Sequence, residues 1–173
     1  PTTTATVTRN ADVLRYDIEN WINVNAGTFS LDAEIDYVDD GRTIAFEPLN
    51  IGGAASRYMR LHGSTATTRT GELTFALRNP TNKTVLTPIT ALSPADNIAR
   101  VVMSHDDSGL SLALRGITYT YVGAVDPIPV GYGDLKIAPT PANGTYMLNV
   151  IYYQKRLANS VIEANSAREY SND

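Results

Sequence analysis

The stretch GTYMLNVIYYQKRLANSVI at positions 144–162 carries the strongest structural signal in this chain. Residues 146–153 alternate between two faces, and apolar or aromatic side chains occupy most positions on both, which favours a strand in the middle of a sheet. From Ala158 onward the pattern becomes helical, with Asn159 or Ser160 as a suitable N-cap. A long strand followed by a short helix predicts an all-β domain that closes with a C-terminal helix.

Length and composition agree with one sheet-rich domain. The 173 residues are enough for one substantial core, and ten Tyr residues with many Thr, Val and Ile favour strands. A formal charge of -4 and scattered arginines argue against a nucleic-acid partner. No apolar run has the length that membrane insertion requires. Because cysteine is absent, disulfides, thiolate metal sites and a Cys nucleophile are excluded.

The start of the chain differs from the rest in composition. Residues 1–10 are rich in threonine and lack the charged start and apolar centre of a signal peptide. We therefore expect a linker-like segment over residues 1–10 and a single domain over residues 11–173.

Residues 28–37 show the clearest strand pattern. Apolar side chains fill the odd positions and polar or acidic ones the even positions, which predicts one core face and one solvated face. Asp39-Asp-Gly41 then predicts a hairpin to a return strand at residues 43–48, and Asp106-Asp-Ser-Gly109 predicts a second hairpin. Further strands are expected at 12–18, 57–61, 72–78, 84–89, 97–104, 109–115, 117–122 and 134–138. About ten short antiparallel strands predict a two-sheet β-sandwich of jelly-roll type.

The order of these segments resembles the concanavalin A-like lectin/glucanase (LamG-like) jelly rolls of bacteriophage tail fibres and tailspikes. The resemblance rests on residues 9–16, 20–31, 97–101 and 144–162. It implies a homotrimeric virion protein of the phage tail, made in the bacterial cytoplasm. In that setting the module binds host surface polysaccharide or glycan, stabilises the trimer, or does both.

Two predicted loops have the residue types that bind carbohydrate, namely an aromatic ring beside polar groups. Tyr132 lies between two glycines, with Asp126 and Asp134 on either side. Trp21 with Asn23 is a second candidate, although the place of that loop in the family favours a Trp that plugs the sandwich edge. We predict these five residues as candidate carbohydrate-binding positions.

Asp32, Glu34 and Asp36 form the sharpest catalytic candidate, since a period of two places them on one strand face. Glucanases of the resembled fold carry Glu-x-Asp-x-Glu there. This chain has Asp-x-Glu-x-Asp, which shortens both terminal acids. We favour a solvated face whose acids tolerate amide substitution, and thus a non-enzymatic module. A glycoside hydrolase that uses these acids and a purely structural virion domain remain alternatives.

Metal binding has weaker candidates. Asp39, Asp40, Asp106 and Asp107 offer oxygen ligands of the kind that Ca²⁺ takes. Both pairs lie in predicted turns, where Asp is also preferred for hydrogen bonds to the local backbone. We favour the turn interpretation, so no cofactor is predicted and Ca²⁺ remains the alternative.

Overall fold

The computed structural model describes residues 14–17, 22–34, 44–50, 58–63, 72–78, 81–87, 98–127, 134–137 and 146–167. Within these ranges the chain forms eleven strands and one helix. In chain order they are β1 Leu14–Asp17, β2 Gly27–Glu34, β3 Ile44–Asn50, β4 Tyr58–Gly63, β5 Leu73–Arg78, β6 Asn82–Leu86, β7 Ile98–Asp106, β8 Gly109–Leu114, β9 Ile117–Val122, β10 Asp134–Ile137, β11 Tyr146–Tyr153 and α1 Asn159–Ser166.

The strands form two antiparallel sheets. One sheet has the order β1-β10-β3-β4-β5-β6, and the other has the order β11-β2-β7-β8-β9. Large apolar side chains from both sheets meet between them, with Phe29, Met103 and Leu112 from the five-stranded sheet and Leu61 and Phe75 from the six-stranded sheet. The predicted all-β, two-sheet antiparallel sandwich is confirmed.

Helix α1 covers part of the outer face of the five-stranded sheet. Ile162 packs against Val102 of β7 and Ala113 of β8, with Leu157 beside them. The helix begins after Ala158, whose side chain cannot cap it, so the predicted N-cap at Asn159 or Ser160 is wrong by one or two positions. In the described part of the chain, no helix has the length and apolarity needed to cross a membrane.

The two predicted hairpins have different outcomes. β7 and β8 are joined by the two-residue turn at positions 107–108, which confirms the second hairpin. The first hairpin is wrong, because β2 pairs with β11 and β7 while β3 pairs with β10 and β4 in the opposite sheet. Turn chemistry is local, and it does not decide whether the next strand stays in the same sheet.

The position of β11 also differs from the expectation. Its apolar pattern favoured a central strand, but among the described strands it pairs with β2 alone and ends the five-stranded sheet. Val150 and Tyr152 pack against the core, whereas Asn149 and Ile151 on the other face are exposed. One face of β11 therefore belongs to the core, and the other lies at the surface.

Candidate functional site

The face of β2 that was expected to be solvated is buried. Thr28, Ser30 and Asp32 are each at most 7% exposed. β2 has a neighbouring strand on both sides, the segment after β11 contacts Thr28, and the side chain of Arg100 contacts Asp32. The Thr28 hydroxyl donates to the carbonyl of Lys155 at 2.9 Å and accepts the N–H of Leu157 at 3.0 Å. The alternation of apolar and polar residues in β2 thus marks two rows of buried side chains, one apolar and one polar.

Asp32 is held by an arginine from the neighbouring strand. It lies directly opposite Arg100 of β7 in the strand register. Arg100 Nη2 donates to Asp32 Oδ2 at 2.8 Å, and Arg100 Nε donates to the other carboxylate oxygen. The hydrogen bond to Asp32 raises the pKa of Arg100, burial opposes this, and the charge of Asp32 adds to the rise. This two-point pair fixes the plane of the guanidinium.

The pair lies in a surface that we call the Arg100 surface, made of Asp32, Arg100, Asn149, Ile151 and Tyr153. The last three alternate along β11 and therefore point to one side, where they lie opposite Asp32, Ser30 and Thr28. Asn149 is exposed and Ile151 is 42% exposed, while Asn149 Nδ2 is 3.5 Å from Asp32 Oδ2. A fixed cation, an amide, a phenol and an apolar side chain thus share one exposed face.

A second group of polar residues lies at one end of the sandwich. β2 begins beside His105 and β9 ends beside Gly109, so the segments flanking these positions share that end. Asn23 and Asp126, two of the carbohydrate-binding candidates, come from different loops and both lie at this end. Asp134, the third predicted residue with a described backbone, instead begins β10 in the other sheet, opposite Asp17.

Asn23 is engaged in holding this end together. Its backbone N–H donates to Tyr152 Oη at 2.8 Å, and its side-chain Nδ2 donates to the carbonyl of Gln154 at 3.0 Å. Its Oδ1 accepts the N–H of Asn25 at 3.0 Å. These bonds tie the loop before β2 to the end of β11, which gives Asn23 a structural role here.

Asp106 behaves as a turn residue. Its Oδ1 accepts the Ser108 N–H at 2.9 Å, the Ser108 hydroxyl at 2.7 Å and Arg156 Nη1 at 2.6 Å. Burial raises the pKa of Asp106, but the hydrogen bonds from Ser108 and Arg156 outweigh it and the pKa is lowered. Asp107 is exposed. Among the described residues, no three His, Asp or Glu side chains are grouped to hold a metal.

Several predicted residues lie outside the described part of the chain. Trp21 and Tyr132 of the carbohydrate candidates are among them, as are Asp36 of the catalytic candidate and Asp39 and Asp40 of the metal candidate. For Glu34 only the backbone, in β2, is described. Their roles remain predictions.

The loop residues did not point to Arg100, but the strand that contains it carries a signal in the sequence. Arg100 is a lone charge in IARVVMSH, a strand-like run whose apolar neighbours predict burial. A charge in such a run requires a partner, and the acidic face of β2 is the richest source of one. The contributions of Asn149 and Tyr153 depend on β11 lying beside β2, which no local pattern predicts.

No protein-family model and no curated protein matches this sequence. Solved structures do match. A CBM40, a carbohydrate-binding module, of the Ruminococcus gnavus IT-sialidase, described as bound to α2,3-sialyllactose, superposes with a TM-score of 0.68 at 15% identity, over 89% of this chain and 92% of that one. The NanB sialidase of Streptococcus pneumoniae gives 0.64 at 11% identity, over 87% of this chain and 26% of that one.

The binding domain of botulinum neurotoxin serotype D also matches, with a TM-score of 0.61 at 10% identity, over 88% of this chain and 39% of that one. At these identities the similarity establishes the fold. The chain is a jelly-roll β-sandwich, which confirms the predicted architecture.

Proposed function

We propose that this chain is a non-enzymatic glycan-binding module and that the Arg100 surface is its binding site. The observation that carries the proposal is the guanidinium of Arg100, fixed by Asp32 within a face that also exposes Asn149 and Ile151. The R. gnavus CBM40, which has the same fold, is described as bound to sialyllactose. A sialylated glycan is therefore the first ligand class to test.

The chemistry of the surface suits a sugar. Asp32 occupies Nε and Nη2 of Arg100, and Nη1 has no protein partner among the described residues. Nη1 is therefore the N–H group placed to donate to a sugar hydroxyl or a carboxylate. The Asn149 amide supplies both a donor and an acceptor, and Ile151 and Tyr153 provide apolar contact for the C–H face of a ring.

The arrangement favours binding over hydrolysis. A glycosidase needs two carboxyl groups about 5–10 Å apart, both directed at the scissile bond. Asp32 instead accepts two hydrogen bonds from Arg100 and is 5% exposed. A carboxylate committed in this way is a positioning group, which supports the non-enzymatic interpretation.

The finer setting remains a proposal drawn from the resemblance alone. It comprises a phage tail fibre or tailspike, a virion location, a homotrimer and a role in host attachment through surface polysaccharide. Binding of the chain to polysaccharide from a bacterial host, together with a trimeric molar mass, is the observation that would support it.

The site is tested by titrating the chain with α2,3-sialyllactose, α2,6-sialyllactose and lactose while backbone NMR shifts are followed. We expect shifts at residues 100 and 149–153, and weak, fast-exchange binding because the surface is shallow. Asn149→Ala and Tyr153→Ala should each weaken binding several-fold. Val161→Ala, at an exposed position of α1, is the matched control and should leave binding unchanged.

The same titration separates the Arg100 surface from the loop candidate. If Tyr132→Ala abolishes binding while Asn149→Ala has no effect, the site lies in the loop and the Arg100 surface is refuted. If none of the three sugars nor a broader glycan array shows binding, the module is a structural domain.

A further inference from the structure

The outer edge of β9 is a second surface that merits a functional explanation. β9 ends the five-stranded sheet, and within the described part of the chain it pairs only with β8. Its six residues, ITYTYV, include no charge and no proline, and their register with β8 is uninterrupted. Edge strands are normally protected by charges, prolines or bulges because open backbone groups attract another strand. β9 has none of these devices.

The exposure of side chains agrees with an open edge. Val122 is 85% exposed and Ile117 is 56% exposed, and Thr120 between them is exposed as well. Val122 and Ile117 are the two most exposed large hydrophobic residues of the described chain. The strand therefore presents uncharged, strand-favouring side chains, together with backbone groups that pair with no second strand among the described residues.

The hydrogen-bonding pattern of the β8–β9 hairpin decides which backbone groups of β9 face away from β8. Leu114 and Ile117 flank the two-residue turn at Arg115 and Gly116, where φ is 51° and 76°. Positive φ at both positions is typical of a type I′ hairpin, whose flanking residues form a hydrogen-bonded pair. Because such pairs alternate along an antiparallel ladder, odd-numbered residues of β9 bond to β8.

A backbone hydrogen bond just beyond the end of β9 supports this pattern. The N–H of Gly123, the next odd-numbered residue, donates to the carbonyl of Ser108 at 3.0 Å on the β8 side. The backbone groups of Thr118, Thr120 and Val122 consequently point away from β8. These are the groups that a further strand would pair with.

We propose that this edge pairs with β9 of a second copy of the chain, so that two five-stranded sheets join into one continuous sheet across a two-fold axis. For two antiparallel strands side by side, that axis is perpendicular to the sheet, so residues of the same face must oppose each other. The register that uses all three outward residues places Thr120 opposite Thr120 of the second copy and Thr118 opposite Val122. It forms about six hydrogen bonds.

The absence of charge favours a second copy as the occupant. Self-pairing across a two-fold axis brings like residues together, so any charged residue near the axis would face its own copy and oppose association. Here the residues at the axis are threonines, and Thr118 of each copy meets the exposed Val122 of the other. The edge is thus complementary to itself in length, register and charge.

The dimer has a consequence for glycan binding that rests on the proposed function. The two β7 strands would lie five strand positions apart in the joined sheet, which corresponds to about 24 Å at a spacing of ~4.8 Å. Both Arg100 surfaces would lie on the same side of the dimer. Two weak sites held together would bind a glycan-coated surface more tightly than either site alone.

The test is the molar mass of the 173-residue chain, measured without glycan by sedimentation equilibrium over a range of concentrations. We expect a monomer–dimer equilibrium, whereas a trimeric mass, which the phage-tail setting implies, would count against pairing through β9. Thr120→Pro removes an outward N–H, which edge strands tolerate, and should give a monomer with an unchanged far-UV CD spectrum. Thr120→Val retains the backbone groups and strand propensity, and should remain dimeric.

Charge reversal tests the register even if the proline variant fails to fold. Chains with Thr120→Lys and chains with Thr120→Glu should each dimerise up to roughly five-fold more weakly than the parent, because like charges then face each other. An equimolar mixture should recover dimers containing one chain of each kind. A monomeric parent at every concentration, or a dimer or trimer unaffected by these changes, would overturn the proposal. Loss of sialyllactose binding in a chain that still dimerises would count only against the glycan site.

Discussion

His105 makes a specific prediction about stability in acid. Its side chain is 1% exposed, near Gly27 and Tyr152, and its Nε2 has no hydrogen-bond partner among the described residues. Burial lowers the pKa of His105 from 6.5 to about 4, against the attraction of Asp106 and with the repulsion of Arg156. The imidazole is therefore neutral in the folded protein and takes up a proton on unfolding in mild acid.

The sign of the effect follows from proton linkage. Between pH 6.5 and about 4 the unfolded chain binds the His105 proton more strongly than the folded one, so the free energy of unfolding falls as the pH falls. The contribution is fully retained above pH 6.5 and lost by about pH 4. One unit of pKa difference corresponds to ~1.4 kcal/mol, so the loss amounts to roughly 3 kcal/mol, a large share of the ~5–15 kcal/mol typical of a domain.

Urea unfolding at steps from about pH 8 to about pH 4 measures this loss. Other ionisable groups also contribute to the pH dependence, so the quantity to compare is the difference in free energy of unfolding between the parent and His105→Gln. We expect that difference to change by roughly 3 kcal/mol across the range, with the variant less sensitive to acid. A difference that does not vary with pH would show that the buried imidazole is not the acid-sensitive group.

Three further changes test the packing around the site. Asp32→Asn, which the sequence alone predicts to be tolerated, should lower the free energy of unfolding by roughly 3 kcal/mol because it leaves the half-buried charge of Arg100 without its partner; in urea unfolding the double variant Asp32→Leu, Arg100→Met should lose less than the sum of the losses of its two single variants, and a loss equal to that sum would contradict the coupling. Thr28→Val removes the acceptor of the Leu157 N–H and should lower the free energy of unfolding by about 1–3 kcal/mol. Urea unfolding should then show a lower midpoint concentration with an unchanged slope. Gly109→Ala places a Cβ 2.3 Å from the carbonyl oxygen of Tyr121 and should cost at least ~2 kcal/mol, whereas a thermal midpoint equal to that of the parent would show that β8 and β9 can move apart there.

Much of the fold can be predicted from the sequence, because it depends on local patterns. The alternation in residues 28–34 and 117–122 predicts strands that the structure contains, and the Asp106–Gly109 turn predicts the hairpin that follows. The short helix after residue 158 is present as well. These features depend on side-chain period and turn chemistry, both of which act over a few residues.

The predicted site required information that local patterns do not contain. Residue type alone marks Asn23 and Asp126 as candidates. The structure places them at the same end of the sandwich but engages Asn23 in hydrogen bonds that hold this end together. Asp32 was expected in solvent because its strand alternates, yet an amphipathic pattern reports only that two faces differ in polarity. It does not report what covers each face.

Sequence by itself determined that this chain is a two-sheet all-β sandwich with a closing helix, because hydrophobic period and turn residues specify strands and their ends. Tertiary structure alone decided which strands are neighbours, and with them the exposed edge of β9 and the pairing of Asp32 with Arg100, which are 68 residues apart. The physical reason is that strand pairing across a sandwich depends on burial of the whole apolar surface, and no single segment encodes it.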